Sequence, residues 1–566
     1  MASHASAQIE LDWWNAYDLP ESFDGDSFTS SVVVNANGAV LTAVRGLFPE
    51  RSRFVRFSSA GAVASSVLAP APFTFADSLL APSGDAYFAG AGTSPTQGYM
   101  LVKLSSTGAV LWSQLVTAGA FMQRAEVVLD AGGNVALVAA NQTTGRTFAR
   151  GFTPAGAPAY SHELDLGPSS ESVQEALLGA NGEIIVAGGV DTRAVVAGID
   201  TTTGQLLWSE INAGALGLGA RYSALARRGN GQLAAAGVST LAGSGDVWVT
   251  AFDAAGAVQW STAIDAGANA VETVNDAEFA SDGALWVCGS TFSSGQTASF
   301  FLRFPPGSNT PERLLWNNAP GVVWSNAKQL ALGGPGQLWA LTELLPFAEA
   351  ISVGAVQLDF DNGLRAELLA RFDQGGAEKS LFCAASGGAQ KLVVGGRSED
   401  VPGGSSFFDP VSMVGRFDVS DAPREYCQAQ TNSAGCVPVL TCAGRASVAT
   451  TQAFRLRVGD VIPGAAGLFV YGATGASSTP FLGGLKCVAS PIARSPMLSA
   501  ATSGSAPCPG ELSIDWNAFA RGQLGGAPAP VLSAPGTAIY VQCWSRDGAS
   551  AFGANLSSAL RYVVLP

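Results

Sequence analysis

Short apolar runs broken by glycine-centred turns fill the first three-quarters of the chain. The clearest stretch is Leu101 to Val116, LVKLSSTGAVLWSQLV. It predicts a strand, a tight turn at Gly108 and a second strand carrying Trp112. Glycine takes the positive φ of a tight hairpin without steric penalty. Leu104 lies four residues before Gly108, and Trp112 four after it. Phe252, Gly256 and Trp260 keep both offsets, as do Phe152, Gly156 and Tyr160. Phe57 and Gly61 keep the first half, and Gly204 and Trp208 the second. The glycines Gly61, Gly108, Gly156, Gly204 and Gly256 are 47, 48, 48 and 52 residues apart.

A second set of glycine turns runs in phase upstream: Gly38, Gly84, Gly133, Gly182, Gly231, Gly283, Gly336 and Gly388. Their steps are 46, 49, 49, 49, 52, 53 and 52. An apolar run follows nearly every one. Each unit therefore predicts four short strands joined by tight turns. A period near 50 with four strands is the signature of a β-propeller blade. The runs are too short and too glycine-punctuated for helices of 3.6-residue period. Stacked blades bury both faces of each sheet, which explains strands that are apolar throughout. Eight units can be counted between about residues 30 and 420. Eight blades is the direct reading, or seven if the least regular unit, interrupted by Leu344–Val353, is an excursion. Trp112, Tyr160, Trp208, Trp260 and Trp316 recur at repeat spacing and are expected to pack between blades.

The eighth unit lacks an aromatic fourth strand. The segment Gln8–Asn15, QIELDWWN, resembles such a strand. Ile9, Leu11, Trp13 and Trp14 are expected to supply it and close the ring, removing the open edges that invite aggregation. Residues 1–8 carry Ala5-Ser6-Ala7, like the end of a signal-peptidase site, and read as a leader or the remnant of a signal peptide. The expected organisation is a propeller over 9–420 and a small all-β sandwich over 421–566.

The propeller resembles bacterial tandem β-propeller repeats, including the seven-bladed-propeller-repeat and quinoprotein-like families, through the pattern in DVWVTAFDAAGAVQWS, Asp246 to Ser261. The last part is similar to a C-terminal domain of secreted planctomycete and myxobacteria-like proteins. Its matching pieces include Tyr426-Cys427, Gly435-Cys436, FLGGLKC ending at Cys487, and AIYVQCWSRD from Ala538 to Asp547. The resemblance implies secretion or surface display and little else. Cys442 and Cys543 are less typical of that pattern and are paired with each other here.

Six of the eight cysteines, Cys427, Cys436, Cys442, Cys487, Cys508 and Cys543, crowd into this last part. They predict three disulfides in an oxidising compartment. Of the 15 pairings, local ones are expected: Cys427 with Cys436 and Cys487 with Cys508. A zinc site is disfavoured, since there is no C-x-x-C spacing and no histidine nearby. Cys288 and Cys383, in separate blades, read as buried thiols.

Charged residues are 13% and apolar ones 47%, with a net charge of −14. That acidity and the absence of a Lys/Arg cluster exclude nucleic acid as a partner. No apolar run is long enough to span a bilayer. Catalytic signatures are sparse. His162 follows Tyr160-Ser161 in a fourth strand and reads as a strand residue between blades; His4 is in the leader. No G-x-S-x-G or H-E-x-x-H occurs. A quinone enzyme of this fold often carries an adjacent cysteine pair, and none is present. Asp24 with Asp26 and Asp359 with Asp361 are the closest aspartate pairs. They read as turn caps, with a surface calcium ion as the alternative. No catalytic residue, cofactor or metal ligand is therefore assigned. The expected function is a secreted or cell-surface, non-catalytic propeller binding a glycan or protein. The alternatives are a propeller enzyme acting on polysaccharide, a quinoprotein-like oxidoreductase, or a self-assembling structural subunit of an extracellular layer.

Overall fold

A computed structural model describes residues 10–566 apart from 18–26, 36, 48–49, 72, 93–97, 117–123, 142, 168–169, 212–219, 240–244, 267–269, 281–282, 294–295, 317–321, 333–337, 347–351, 360–364, 373–378, 387–390, 399–410, 419–422, 444–445, 449–452, 503–507 and 566. The chain forms two compact units, one within Leu11–Asp418 and one within Val419–Pro566.

The first unit is an eight-bladed propeller. Each glycine turn folds back a local hairpin, so each unit of the repeat becomes one four-stranded antiparallel sheet. At Gly108, φ is +88° and its N–H donates to the Ser105 carbonyl at 2.9 Å, the geometry that requires glycine. Blade 1 contains Ser27–Val34, Val40–Leu47, Glu50–Phe57 and Val63–Leu68 in that order. Blades 2 to 7 repeat the order. They begin with Phe73–Leu80, Ala125–Leu129, Glu171–Leu178, Arg221–Arg227, Val271–Phe279 and Val322–Leu332. Blade 8 is built differently: Lys379–Ser386, Lys391–Ser398 and Val411–Asp418 are joined on the outside by Glu10–Tyr17. The amino-terminal strand thus completes the last sheet. Leu11, Trp13 and Trp14 lie on it, and Ile9 is outside the described residues. The interrupted seventh unit is a full blade, ending with Ser352–Asp359 and Arg365–Phe372.

The ring is closed. The first strand of each blade touches the first strand of the next, and Lys379–Ser386 returns to touch Ser27–Val34. Apolar clusters fill the gaps between sheets. Tyr87, Leu101, Val127, Leu137 and Phe148 join blades 2 and 3; Val138, Leu164, Ile184 and Val195 join blades 3 and 4. Val32 and Phe57 meet Val393 and Val414 where blade 1 meets blade 8. Burial on both faces is why the middle strands carry no alternation.

The second unit is a sandwich. One sheet orders Arg424–Tyr426, Ala554–Val563, Ala538–Arg546, Ala466–Gly472 and Ala493–Arg494. The other orders Val439–Ala443, Arg455–Val461, Gly510–Asp515 and Ala501–Thr502. Leu456, Val458, Leu512 and Ile514 from one sheet meet Phe469, Tyr471, Val541 and Tyr562 from the other. A single helical turn, Trp516–Ala520, capped by the Asp515 carboxylate, drops Trp516 into this core.

The disulfides correct the expected local pairing. Cys427 bridges Cys487, and Cys436 bridges Cys508. Arg424–Tyr426 adds to the edge of Ala554–Val563, and the Tyr426 hydroxyl donates to the Cys487 carbonyl at 2.9 Å, which brings Cys427 to Cys487. The chain then turns tightly through Asn432–Gly435, and the Asn432 amide reaches both the main chain of Cys436 and the Cys508 sulfur. The expected bridge between Cys442 and Cys543 does not form. The two sit on opposite sheets, Cys442 across from Leu456 and Cys543 across from Phe469.

Candidate functional site: the acid-bearing inner ring

The first strands form the wall around the propeller axis. Most carry a β-bulge at one height, between Thr29 and Ser31, Phe75 and Asp77, Val173 and Glu175, Tyr222 and Ala224, Val274 and Asp276, Ala327 and Gln329, and Leu381 and Cys383. A bulge re-aims the side chain that follows it. Register places Glu126 at the equivalent position of blade 3, since Glu126 and Asp77 each stand three residues before the last pair of their ladders. The eight positions round the ring are therefore Ser31, Asp77, Glu126, Glu175, Ala224, Asp276, Gln329 and Cys383. Four are acids.

Three of those acids grip the next blade. Asp77 accepts from the Val127 N–H at 2.8 Å, Glu175 from Leu225 at 2.7 Å and Asp276 from Leu330 at 2.8 Å. Between blades 1 and 2 serines do the same work: Ser31 Oγ donates to Ser78 Oγ, which donates to the Val32 carbonyl. Glu126 instead pairs with Arg124, its Oε1 2.5 Å from the guanidinium Nε. Arg124 keeps 45% of its side chain open to solvent, whereas Glu126 is buried.

This crowding raises the acids. Burial, then the neighbouring Asp276, hold Glu175 up at about 8. Burial holds Asp276 at about 6 and, with Asp276 beside it, Glu278 at about 7. Burial followed by the Asp77 charge raises Glu126 well above the carboxylate range, against the pull of Arg124. Asp77 is raised by burial and lowered by its bond from Val127. Asp77, Glu175 and Asp276 are half-buried by surface area, so water at the wall moderates these shifts. The arrangement offers one exposed guanidinium, carboxyls that stay partly protonated near neutrality, and carboxylate oxygens already engaged by main chain. It can bind a polar ligand, and it places proton donors and acceptors in one ring.

The sequence-predicted residues lie elsewhere. Trp112 packs on Tyr87 of its own blade and Phe152 of the next, and its indole N–H donates to the Pro154 carbonyl at 3.1 Å. Trp208 meets Phe252, and Trp260 stacks on Phe304, again one blade on. Tyr160 stacks on His162, whose Nε2 lies 3.1 Å from the Thr201 carbonyl of blade 4. Trp316 is buried in the cluster joining blades 6 and 7. Cys288 is fully buried. Asp24, Asp26 and Asp361 lie outside the described residues, and Asp359 ends a strand of blade 7. The inner-ring acids were missed, although a signal existed. Asp77, Glu126, Glu175 and Asp276 each stand seven residues before Gly84, Gly133, Gly182 and Gly283.

No protein-family model matches the chain, and no curated protein does. Among solved structures, the chain is similar to the Dos1 propeller, at 11% identity over 73% of this chain and 95% of that one, with a TM-score of 0.45. It is similar to Sqt1 from Chaetomium thermophilum, at 12% identity over 72% and 99%, TM-score 0.43. It is also similar to virginiamycin B lyase from Staphylococcus aureus, at 11% identity over 72% and 99%, TM-score 0.37.

Proposed function

We propose that this protein is secreted or displayed at the cell surface and binds a glycan or protein ligand without catalysis, at the inner ring and the loops beside it. The observation that carries the reading is the engagement of Asp77, Glu175 and Asp276 by main-chain N–H groups of the next blade. Carboxylates used to hold a scaffold are poorly placed to cycle protons. Arg124, exposed beside Glu126, remains as a polar anchor. Two disulfides in the second unit favour an oxidising compartment. The likeness of the sequence to bacterial propeller repeats and to the tail domains of secreted proteins agrees with display outside the cell. A glycan array and a surface-protein pull-down with the full chain test this. Retention of a ligand by the native chain, weakened at least tenfold by Arg124→Ala, is expected. Failure to retain any ligand would overturn it.

A second reading, an enzyme acting on polysaccharide, draws on one observation. Glu175 and Glu278 sit near 8 and 7, where a carboxyl can act as a general acid at neutral pH. Turnover of a polysaccharide panel, abolished by Glu278→Gln, would favour it over binding alone.

A further inference from the structure

Two hairpins of the second unit meet at an apolar tip. Ala476–Phe481 and Gly484–Val488 pair antiparallel, with Phe481 opposite Gly484, so Leu482 and Gly483 alone form the turn. Both take positive φ, +47° at Leu482 and +80° at Gly483. A two-residue turn of this hand favours Asn, Asp or Gly at its first position, and a bulky side chain there is strained. Leucine at this position therefore lowers stability relative to Asn. The second hairpin joins Ala538–Arg546 to Ala554–Val563 and carries Phe552 in its loop. The Phe552 ring covers Gly483, where an added Cβ would stand 2.3 Å from it. Phe481, Leu482 and Phe552 are 46%, 36% and 56% exposed. Single exposed apolar residues are ordinary, but a cluster of them marks a contact site.

The tip is braced from below. Gln430 Nε2 donates to the Leu482 carbonyl at 3.2 Å, and the Gln430 N–H to the Leu556 carbonyl at 2.9 Å. Asn555 Nδ2 donates to the Gln430 carbonyl at 3.0 Å. In the other loop the Asp547 N–H donates to the Gly553 carbonyl, and the Gly553 N–H to that of Ser550. Hydrogen-bonded main chain thus holds the three side chains outward. Strain kept at an exposed position points to function. The charge beside the tip is positive. Arg546, exposed, ends the strand leading to Phe552, and Lys486 stands opposite Thr479 in the first hairpin. Asp547 is buried, and its carboxylate accepts from the Ser433 N–H at 2.7 Å. Residues 419–566 hold nine Lys/Arg and six Asp/Glu, a net charge of +3, against −17 for residues 1–418.

From the strained apolar turn, the Phe552 ring over it and the flanking cations, we infer that this tip docks the second unit on an anionic lipid bilayer. A hairpin turn projects from its sheet, and these three side chains are hydrocarbon, which suits insertion among acyl chains. The long stems of Lys486 and Arg546 let their charges stay at the headgroups. Apolar insertion together with attraction to anionic headgroups is how peripheral proteins hold a membrane surface. The tip belongs to a different unit from the inner ring and does not depend on what the ring binds.

Flotation of the full chain with phosphatidylcholine vesicles, with and without one-third phosphatidylglycerol, tests this. Half of the chain should float with the anionic vesicles at about 0.1 mM lipid, the strength of a single acyl anchor. Neutral vesicles should bind it more weakly, and added salt should release it. Phe552→Ser should weaken binding at least tenfold. Leu482→Asn should weaken it too, yet melt at or above the native chain, because Asn suits the positive φ that Leu resists. A purely structural role for Leu482 would lower melting instead, and this variant serves if Phe552→Ser does not fold. No flotation at about 1 mM lipid, ten times the expected half-point, equal flotation with neutral vesicles, or undiminished binding in both variants would overturn the assignment. So would dimerisation that Phe552→Ser removes, without flotation, which would give the tip to a second copy of the chain.

Discussion

The carboxylate of Glu175 accepts the main-chain N–H of Leu225 at 2.7 Å, one blade further round the ring. Asp77 does the same to Val127, and Asp276 to Leu330. Blades 2, 4 and 6 thus hold blades 3, 5 and 7 by an acid at one height of the inner wall. In blades 5 and 7 a bulge lies just before the N–H that the preceding blade's carboxylate answers. The acids at the axis are first of all structural links, which orders the expectations below.

Glu175, Glu278 and Asp276 make propeller stability depend on pH. Burial holds Glu175 at about 8 against an ordinary 4.5. Between those values the folded chain holds a proton that the unfolded chain has lost, so stability falls as pH rises through the window. The native chain should therefore resist urea better at about pH 5.5 than at about pH 8.5. Glu175→Gln, which keeps an acceptor for Leu225, should flatten part of that slope. Glu175→Ala should cost about 1–3 kcal/mol at either pH by leaving the N–H without its partner. An unchanged slope in Glu175→Gln would refute the assignment.

Two glycines, one from each series of hairpin turns, should respond differently to alanine. Gly133 has φ of +80° and open space around it, so Gly133→Ala should cost about 1 kcal/mol, the backbone term alone. At Gly256 a Cβ would stand 2.2 Å from the Trp208 ring. Gly256→Ala should cost at least about 2 kcal/mol, because the indole must leave its place against Phe252. Urea midpoints of the two variants give the comparison, and equal losses would count against a tight seam between blades 4 and 5.

Trp112→Ala removes contacts with both Tyr87 and Phe152 and the bond to Pro154. The ring is only half-buried, so the loss should be about 2 kcal/mol, below that of a fully enclosed tryptophan. Chemical denaturation followed by tryptophan fluorescence measures it. A loss under about 0.5 kcal/mol, the level of an ordinary surface substitution, would remove Trp112 from the packing between blades.

Non-reducing peptide mapping should recover Cys427 linked to Cys487 and Cys436 linked to Cys508. Replacing Cys436 and Cys508 together by serine reopens a link between residues 72 apart in sequence. The chain-entropy argument puts the loss at about 4 kcal/mol in the second unit. Recovery of a Cys427–Cys436 peptide would contradict the arrangement described above.

The glycine spacing alone determined the blades, because a hairpin is a local event: Gly108 turns Leu104 back toward Val110 whatever the rest of the chain does. The count of eight and the borrowed strand Glu10–Tyr17 were legible for the same reason, since a missing fourth strand shows as a gap in a regular pattern. The inner-ring acids were visible only as an offset from the glycines. That Asp77, Glu126 and Glu175, some fifty residues apart, face one arginine is a consequence of closing the ring. Cystine partners were likewise decided by which strand adds to which edge of the sandwich, since covalent reach depends on distance in space and not along the chain. Local backbone chemistry sets the elements; convergence of charged groups in the wall belongs to tertiary structure because only closure brings remote side chains within a few ångströms.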